Sequence, residues 1–290
     1  MTKWIGRIFI LMVLLAGAVV FFLVSFFPDQ VYRTAMSWVS TYRASIEGGL
    51  KVEDAGFWVP IRPGLERRVV KISRAGKHKM ELYALRAQPD KFSLRVIAQE
   101  PEAVASTPIG AVAEATGAVA LINGSFFTPD LGILGLCIAG SETITPLAKF
   151  SDLEGIFFVR DGKPGLVHRD QFREHDVTDA LQSGPWLVRD GKPVEKFKNN
   201  DRVTRRSAVG IDHKGNAVFV ATDTVFSGLT LDHFAALMAM PAMSGGFQCI
   251  DALNLDGGTS TQLMLSTTTD HHWIRGFVNV PVFIGLFHAD

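Results

Sequence analysis

The sequence predicts an α+β fold: one domain built on a large mixed, mostly antiparallel sheet with flanking helices, preceded by a single N-terminal transmembrane helix. Three observations point there. From residue 50 onward, β-branched and alternating apolar runs separated by Gly-containing turns dominate. Few stretches carry helical periodicity, and no linker or low-complexity segment divides residues 50–290. At the N-terminus, Ile8–Phe27 is twenty residues without a charge. A helix rising ~1.5 Å per residue crosses a ~30 Å hydrocarbon core at that length.

Residues 1–28 therefore form a cytoplasmic tip and signal anchor, closed by Pro28-Asp29. A cleaved signal peptide with Ala16-Gly17-Ala18 as its small-residue site is the alternative. It is disfavoured because Val19–Phe27 continues apolar past the cut. Lys3 and Arg7 ahead of the span place the N-terminus in the cytoplasm. The rest is then periplasmic or otherwise extracytoplasmic, with the chain a single-pass protein of the inner membrane. Residues 29–49 read as a helical stalk: Val31, Trp38, Val39, Tyr42 and Ile46 lie on or near one face of Gln30–Glu47, and Gly48-Gly49 ends it.

Residues 50–290 are the soluble domain. "RRVVKIS" and "HKMELYALRA" form a hairpin around "RAGK". Within "STPIGAVAEATGAVALINGSFF", Thr107 is the N-cap and Pro108 the first residue of a short helix ending at Gly117, with a strand over Ala118–Ile122. "VRDGKP" occurs twice, at Val159–Pro164 and Val188–Pro193; a central Asp-Gly makes each a hairpin turn rather than a sign of duplication. A third hairpin turns at His213–Asn216. In "GLTLDHFAALMAMP", Thr230 caps a helix whose Asp232 favours the N-terminal dipole and whose Leu231, Phe234, Ala235 and Met238 make the apolar stripe.

Lysine plus arginine equals aspartate plus glutamate at 29 each. That balance gives no basis for nucleic-acid binding, which needs a basic face. Cys137 and Cys249, the only cysteines, form either a disulfide in an oxidising compartment or two buried thiols. Neither has metal-ligand spacing. His271-His272 lacks a third ligand and His233 sits in a helix's first turn, so no metal or other cofactor is expected.

Three segments share one design, an apolar strand that ends in a Gly-containing polar loop. They carry Asn123-Gly124-Ser125, Gln182-Ser183-Gly184-Pro185 and Asp256-Gly257-Gly258-Thr259-Ser260. Glycines let backbone N–H groups approach a ligand, and a run of them makes an anion-binding concavity, to which the hydroxyls of Thr259, Ser260 and Thr261 add donors. Arg205 and Arg206 stand at the start of "SAVGID"; an arginine grips a phosphate at two points, and neighbours on a strand face opposite ways. The acid–base candidates are Asp256, Asp223 and Glu142, the first two at strand ends where partial burial raises a carboxyl pKa. No Gly-x-Ser-x-Gly elbow exists, which disfavours a serine hydrolase.

These loops together resemble the phosphodiester glycosidase family. The pieces occur in the family's order: "NGSFF", "GLCIAG", "QSGPWLV", "RRSAVGID", "GLTLDHFAALM", "DALNLDGGTSTQL" and a closing "NVPVFIGL". The resemblance implies hydrolysis of a sugar-1-phosphodiester at the anomeric carbon. It places the family's polar residues on Asn123, Gly124, Arg206, Asp256, Gly257, Gly258 and Ser260. Arg206 would hold phosphate, Asp256 would be the leading carboxylate, and Asn123 with the Gly257 and Gly258 amides would position sugar or phosphate oxygens. Ser125 stands where many members of the family have glycine, and Thr259 is a position that also varies among them. The competing readings are a non-catalytic phosphoglycan-binding module of the envelope and a metal-dependent phosphodiesterase.

Overall fold

The computed structural model describes residues 49–104, 107–197 and 202–289. The expected transmembrane helix and stalk lie outside them. Among the described residues, no helix is long and apolar enough to cross a membrane.

In chain order the strands begin with β1 (Leu50–Asp54), β2 (Val59–Arg62), β3 (Leu65–Arg74), β4 (His78–Ala87) and β5 (Phe92–Ala98). Two short helices follow, α1 (Pro101–Val104) and α2 (Ile109–Thr116). Next come β6 (Ala120–Asn123), β7 (Cys137–Ala139), β8 (Glu142–Thr145), β9 (Gly155–Arg160), β10 (Lys163–His168) and β11 (Val177–Ser183). β12 (Trp186–Arg189), β13 (Lys192–Pro193), β14 (Ser207–Asp212) and β15 (Ala217–Asp223) precede α3 (Leu231–Ala239). The chain closes with β16 (Cys249–Asn254), β17 (Leu263–Ser266), β18 (His271–Ile274) and β19 (Val282–His288).

The single large sheet expected from the sequence resolves into three. A nine-stranded sheet runs β1-β3-β4-β15-β14-β16-β12-β13, with β2 also on β3. Two five-stranded sheets run β10-β9-β11-β7-β8 and β18-β17-β6-β19-β5. Every pairing between the named strands is antiparallel. The central strands β14 and β15 of the nine-stranded sheet are buried on both faces, which is why "AVFVAT" reads as a continuous apolar run rather than an alternating one. On β15, Val218 and Val220 point into a layer with Phe234, Leu237 and Met238 of α3. Ala217, Phe219 and Ala221 point the other way, into a core shared with Phe157 and Leu181 of one small sheet and Ile122, Leu263 and Ile284 of the other. Full burial of each such large apolar side chain stabilises the fold by about 1.5–3 kcal/mol.

Local turn chemistry behaves as expected. Asp161 and Asp190 both take φ of 51°, the left-handed geometry of a tight Asp-Gly hairpin, and β9–β10 and β12–β13 close around them. The β14–β15 turn is pinned by Asp212, whose carboxylate accepts from the Lys214 and Asn216 amides at 2.8 and 3.0 Å. Thr230 Oγ1 accepts from His233 N at 3.3 Å and caps α3. At α2 the start differs from expectation. Pro108, not Thr107, is the N-cap residue, because the Thr107 hydroxyl donates back to Ala103 O at 2.7 Å.

Of the two alternatives left open for the cysteines, the structure shows the pair of buried thiols. Cys137 and Cys249 are both free and buried. They sit on different sheets and in different core layers, Cys137 with Phe157 and Leu181, Cys249 with Phe234 and Phe247. Burial pushes the Cys137 thiol up to about 12 and raises that of Cys249 further, so neither forms the thiolate that exchange chemistry requires.

Candidate active site

The three Gly-containing loops picked from the sequence meet at one place, the seam where the large sheet abuts both small ones. The stitching is specific. Asn123 ends β6, and its Nδ2 donates to Asp256 O at 2.6 Å while its Oδ1 accepts from Gln262 N at 3.1 Å. Asp256 N in turn donates to Gly124 O at 3.0 Å. At the end of β11, Ser183 Oγ donates to Asn254 O at 2.8 Å, and Asn254 Nδ2 donates to Gly184 O at 2.9 Å. Ser207 Oγ, opening β14, donates to Asp256 O at 2.7 Å. A cavity of about 1220 Å³ opens along this seam, lined among others by Gly184, Arg202, Arg205, Arg206, Asn254 and Asp256–Ser260.

Asp256 follows β16 by two residues and is half-buried. Burial raises its carboxyl above the ordinary aspartate value of 3.8; the Ser260 hydroxyl, the Gly257 N–H and the positive charge of Arg202 partly oppose that rise. The polar loop is thus folded around its own carboxylate. Gly257 permits this because a Cβ there would stand 2.7 Å from Arg205 O, and Gly258 because it takes φ of +64°. Gly258 N is engaged by Arg205 O at 2.9 Å. Of the amides expected to face an anion, one serves the Asp256 carboxylate and the other closes the loop.

The two arginines precede the first residue of β14, so strand alternation does not separate them, and both line the cavity. Arg206 is 7% exposed; its Nε donates to Leu229 O at 3.0 Å and its Nη2 to Arg202 O at 2.8 Å. Burial, and secondarily the charge of Arg202, depress its pKa to about 10, which leaves it cationic at neutral pH. Arg205 donates from Nη2 to Arg275 O at 2.9 Å and lies 5.0 Å from the centre of the Phe277 ring. Its Nε and Nη1 are buried without a protein acceptor. Burial lowers its pKa, and nearby Asp223 opposes that shift.

The other sequence candidates are placed as follows. Asn123 and Gly124 are buried behind the loop and hold it, rather than facing the cavity; Ser183 does the same for β16. Thr259 is exposed at the cavity and Ser260 is buried beside Asp256. Asp223 is not among the cavity-lining residues. It ends β15 with its Oδ2 3.2 Å from His272 Nε2, outside hydrogen-bond alignment, and the His272 ring stacks on Tyr83 at 3.7 Å. Glu142 is exposed at the start of β8, away from the cavity lining. Among the described residues no group of three or more His, Cys, Asp or Glu is arranged to hold a metal ion.

Sequence reasoning passed over Arg202, Asn254, Asp152 and Glu154, all of which line the cavity. Asn254 had a signal, as the one amide between Leu253 and Leu255 in an apolar run. It is 2% exposed, and its Oδ1 has no protein partner. Asp152 and Glu154 sit in a loop with no marking pattern.

The phosphodiester glycosidase family model matches residues 116–287. No curated protein sequence matches the chain. Among solved structures, the chain is similar to the catalytic domain of zebrafish N-acetylglucosamine-1-phosphodiester alpha-N-acetylglucosaminidase, auto-inhibited by its pro-peptide. The TM-score is 0.59 at 17% identity, over 83% of this chain and 88% of that one. It is also similar to a hypothetical protein from Synechocystis, with TM-score 0.57 and 16% identity over 81% of this chain and 64% of that one. These likenesses carry the fold. The family match covers the β6, β11, β14 and β16 loops that build the cavity: the chain belongs to the phosphodiester glycosidase family and is a hydrolase of phosphodiester glycosyl linkages.

Proposed function

We propose that the cavity hydrolyses a sugar-1-phosphodiester of the cell envelope at its anomeric carbon, with Asp256 acting on the carbon and Arg205 and Arg206 on the phosphate. The observation that carries this reading is the pairing, on one cavity wall, of a carboxyl raised by burial with two buried guanidinium groups. A carboxylate of raised pKa is a stronger base than a free one. It takes a proton from water as the water oxygen bonds to the anomeric carbon. The bond from that carbon to the phosphate oxygen breaks, and its electron pair leaves with the phosphomonoester. Cations already fixed beside that oxygen stabilise the departing charge, so a strong general acid is not needed. Asp152 and Glu154 are the further carboxylates in reach of the cavity; Asp223 supports Arg205 from outside it.

The uncharged run Ile8–Phe27 supports a membrane anchor, and the basic residues before it support an extracytoplasmic catalytic domain. An envelope glycan or glycolipid is then the substrate within reach.

The full chain, purified in detergent, is to be incubated with a panel of methyl diesters of hexose- and N-acetylhexosamine-1-phosphates. Free reducing sugar and methyl phosphate are expected in equal amounts. Sugar-1-phosphate plus methanol instead would overturn the reading in favour of a phosphodiesterase. Binding without turnover across the panel would overturn it in favour of a phosphoglycan-binding module.

A further inference from the structure

The mouth of the cavity carries a surface that the hydrolytic chemistry does not use. Phe226 is 97% exposed, Val225 58% and Phe150 52%, and all three line the cavity. Isolated exposed apolar residues are ordinary, but several around one opening mark a binding surface.

Strand register fixes where this rim lies. β15 ends at Asp223 opposite Glu81, and Arg74 pairs with His78 across the β3–β4 tip. Val225 and Phe226 therefore leave the nine-stranded sheet at the end that this tip forms. Arg74 and His78 line the same cavity, and Lys77, His78 and Lys79 are exposed beside it. The chain also joins the domain here: Leu50 pairs with Arg74, and Gly49 O accepts from Ala75 N at 2.7 Å. In sequence, residues 28–48 connect this end of the sheet to the uncharged run Ile8–Phe27. Exposed aromatic rings among lysines suit a bilayer surface, where rings enter the acyl boundary and cations meet anionic headgroups.

We infer that the substrate of this site is a lipid-linked sugar-1-phosphodiester, its sugar and phosphate between Asp256 and the arginines and its hydrocarbon aglycone running past Phe226, Val225 and Phe150 into the bilayer. The inference rests on the anomeric hydrolysis proposed above. It adds that the rim recognises the hydrocarbon, so turnover depends on an acyl or isoprenoid chain and on the surface that holds it.

The test uses the full chain reconstituted in vesicles containing phosphatidylglycerol, with methyl and dodecyl diesters of glucose-, galactose- and N-acetylglucosamine-1-phosphate. kcat/KM for the dodecyl diester is expected to exceed that for the methyl diester about 100-fold, since burying even a few methylenes suffices for that ratio. Phe226→Ser combined with Phe150→Ser brings the two values together. Equal values in the unaltered protein overturn the lipid inference while leaving anomeric hydrolysis standing, whereas hydrolysis of neither diester overturns both. A second measurement reads depth without turnover. A fluorophore on Phe226→Cys is labelled selectively, because both native thiols are buried. Lipids brominated in the acyl chain are expected to quench it, and to spare the same fluorophore on Asp161→Cys in the exposed β9–β10 turn. Equal quenching at the two positions overturns the inference.

Discussion

Asp256→Asn lowers kcat/KM about 10³-fold, within the range for loss of a positioned acid–base group, and raises the Tm at pH 7. The two effects share a cause. Burial makes the ionised form of Asp256 less favourable in the folded chain than in the unfolded one, so its folded pKa stands above 3.8. For a carboxyl shifted upward, stability is fully present below the unfolded value and is lost as pH rises through the folded pKa. At pH 7 the wild type therefore carries a deficit that asparagine, which stays neutral, does not. The Tm advantage of the variant is expected to shrink as pH falls towards the ordinary aspartate range and to vanish below it. The activity of the wild type runs the other way, falling as acid protonates Asp256, with the midpoint above that of a free aspartate. Calorimetry of both proteins between pH 3 and pH 7 checks the first statement, and a pH–rate profile the second. A variant less stable than wild type at every pH would mean that Asp256 holds the loop rather than the substrate.

Arg206→Ala is expected to lower kcat about 10²–10³-fold, the range for removing a fixed donor to developing negative charge. It also destabilises the fold by about 1–3 kcal/mol, because the Arg202 carbonyl loses its donor and the Leu229 carbonyl keeps only Thr204 N. A purely structural arginine would produce the second effect alone. The discriminating readout is phosphate-induced stabilisation: inorganic phosphate raises the Tm of the wild type by mass action on the folded state, and the variant loses that response. Arg206→Lys restores charge without the planar fork, so it is expected to recover little of the turnover. An Arg206→Ala protein that keeps the full phosphate response would transfer the phosphate contact to Arg205, whose Nε and Nη1 have no protein acceptor.

How far the sequence shows this molecule depends on how far apart the partners are. The β3–β4 hairpin, the two Asp-Gly turns and the Thr230 cap follow from residues within a few positions of one another, and each forms where its chemistry demands. The division into three sheets does not follow, because β6 pairs with β17 and β19, strands from the far end of the chain. Nothing near Ala120 specifies those neighbours. The site divides along the same line. "LDGG" shows itself as an acid between a buried strand and two glycines. Asn123 shows as a polar residue at a strand end, but the groups that engage its amide, Asp256 O and Gln262 N, lie more than a hundred positions away. Residue type pointed to a substrate contact; tertiary pairing makes it a brace for the Asp256 loop. Asp223 is a similar case, since its strand-end position resembles that of Asp256 but β18 brings His272 against it. Arg202, Asp152 and Glu154 gave no local signal and enter the site through the fold alone.

The bond that breaks is the centre of the account. Hydrolysis of a methyl diester of a sugar-1-phosphate in ¹⁸O-labelled water, read by mass spectrometry of both products, decides it. Attack at the anomeric carbon places the label in the released sugar and none in the phosphomonoester, which is the result expected from a carboxylate facing carbon and arginines facing phosphate. Label in the phosphomonoester would mean attack at phosphorus and would contradict the roles assigned to Asp256, Arg205 and Arg206.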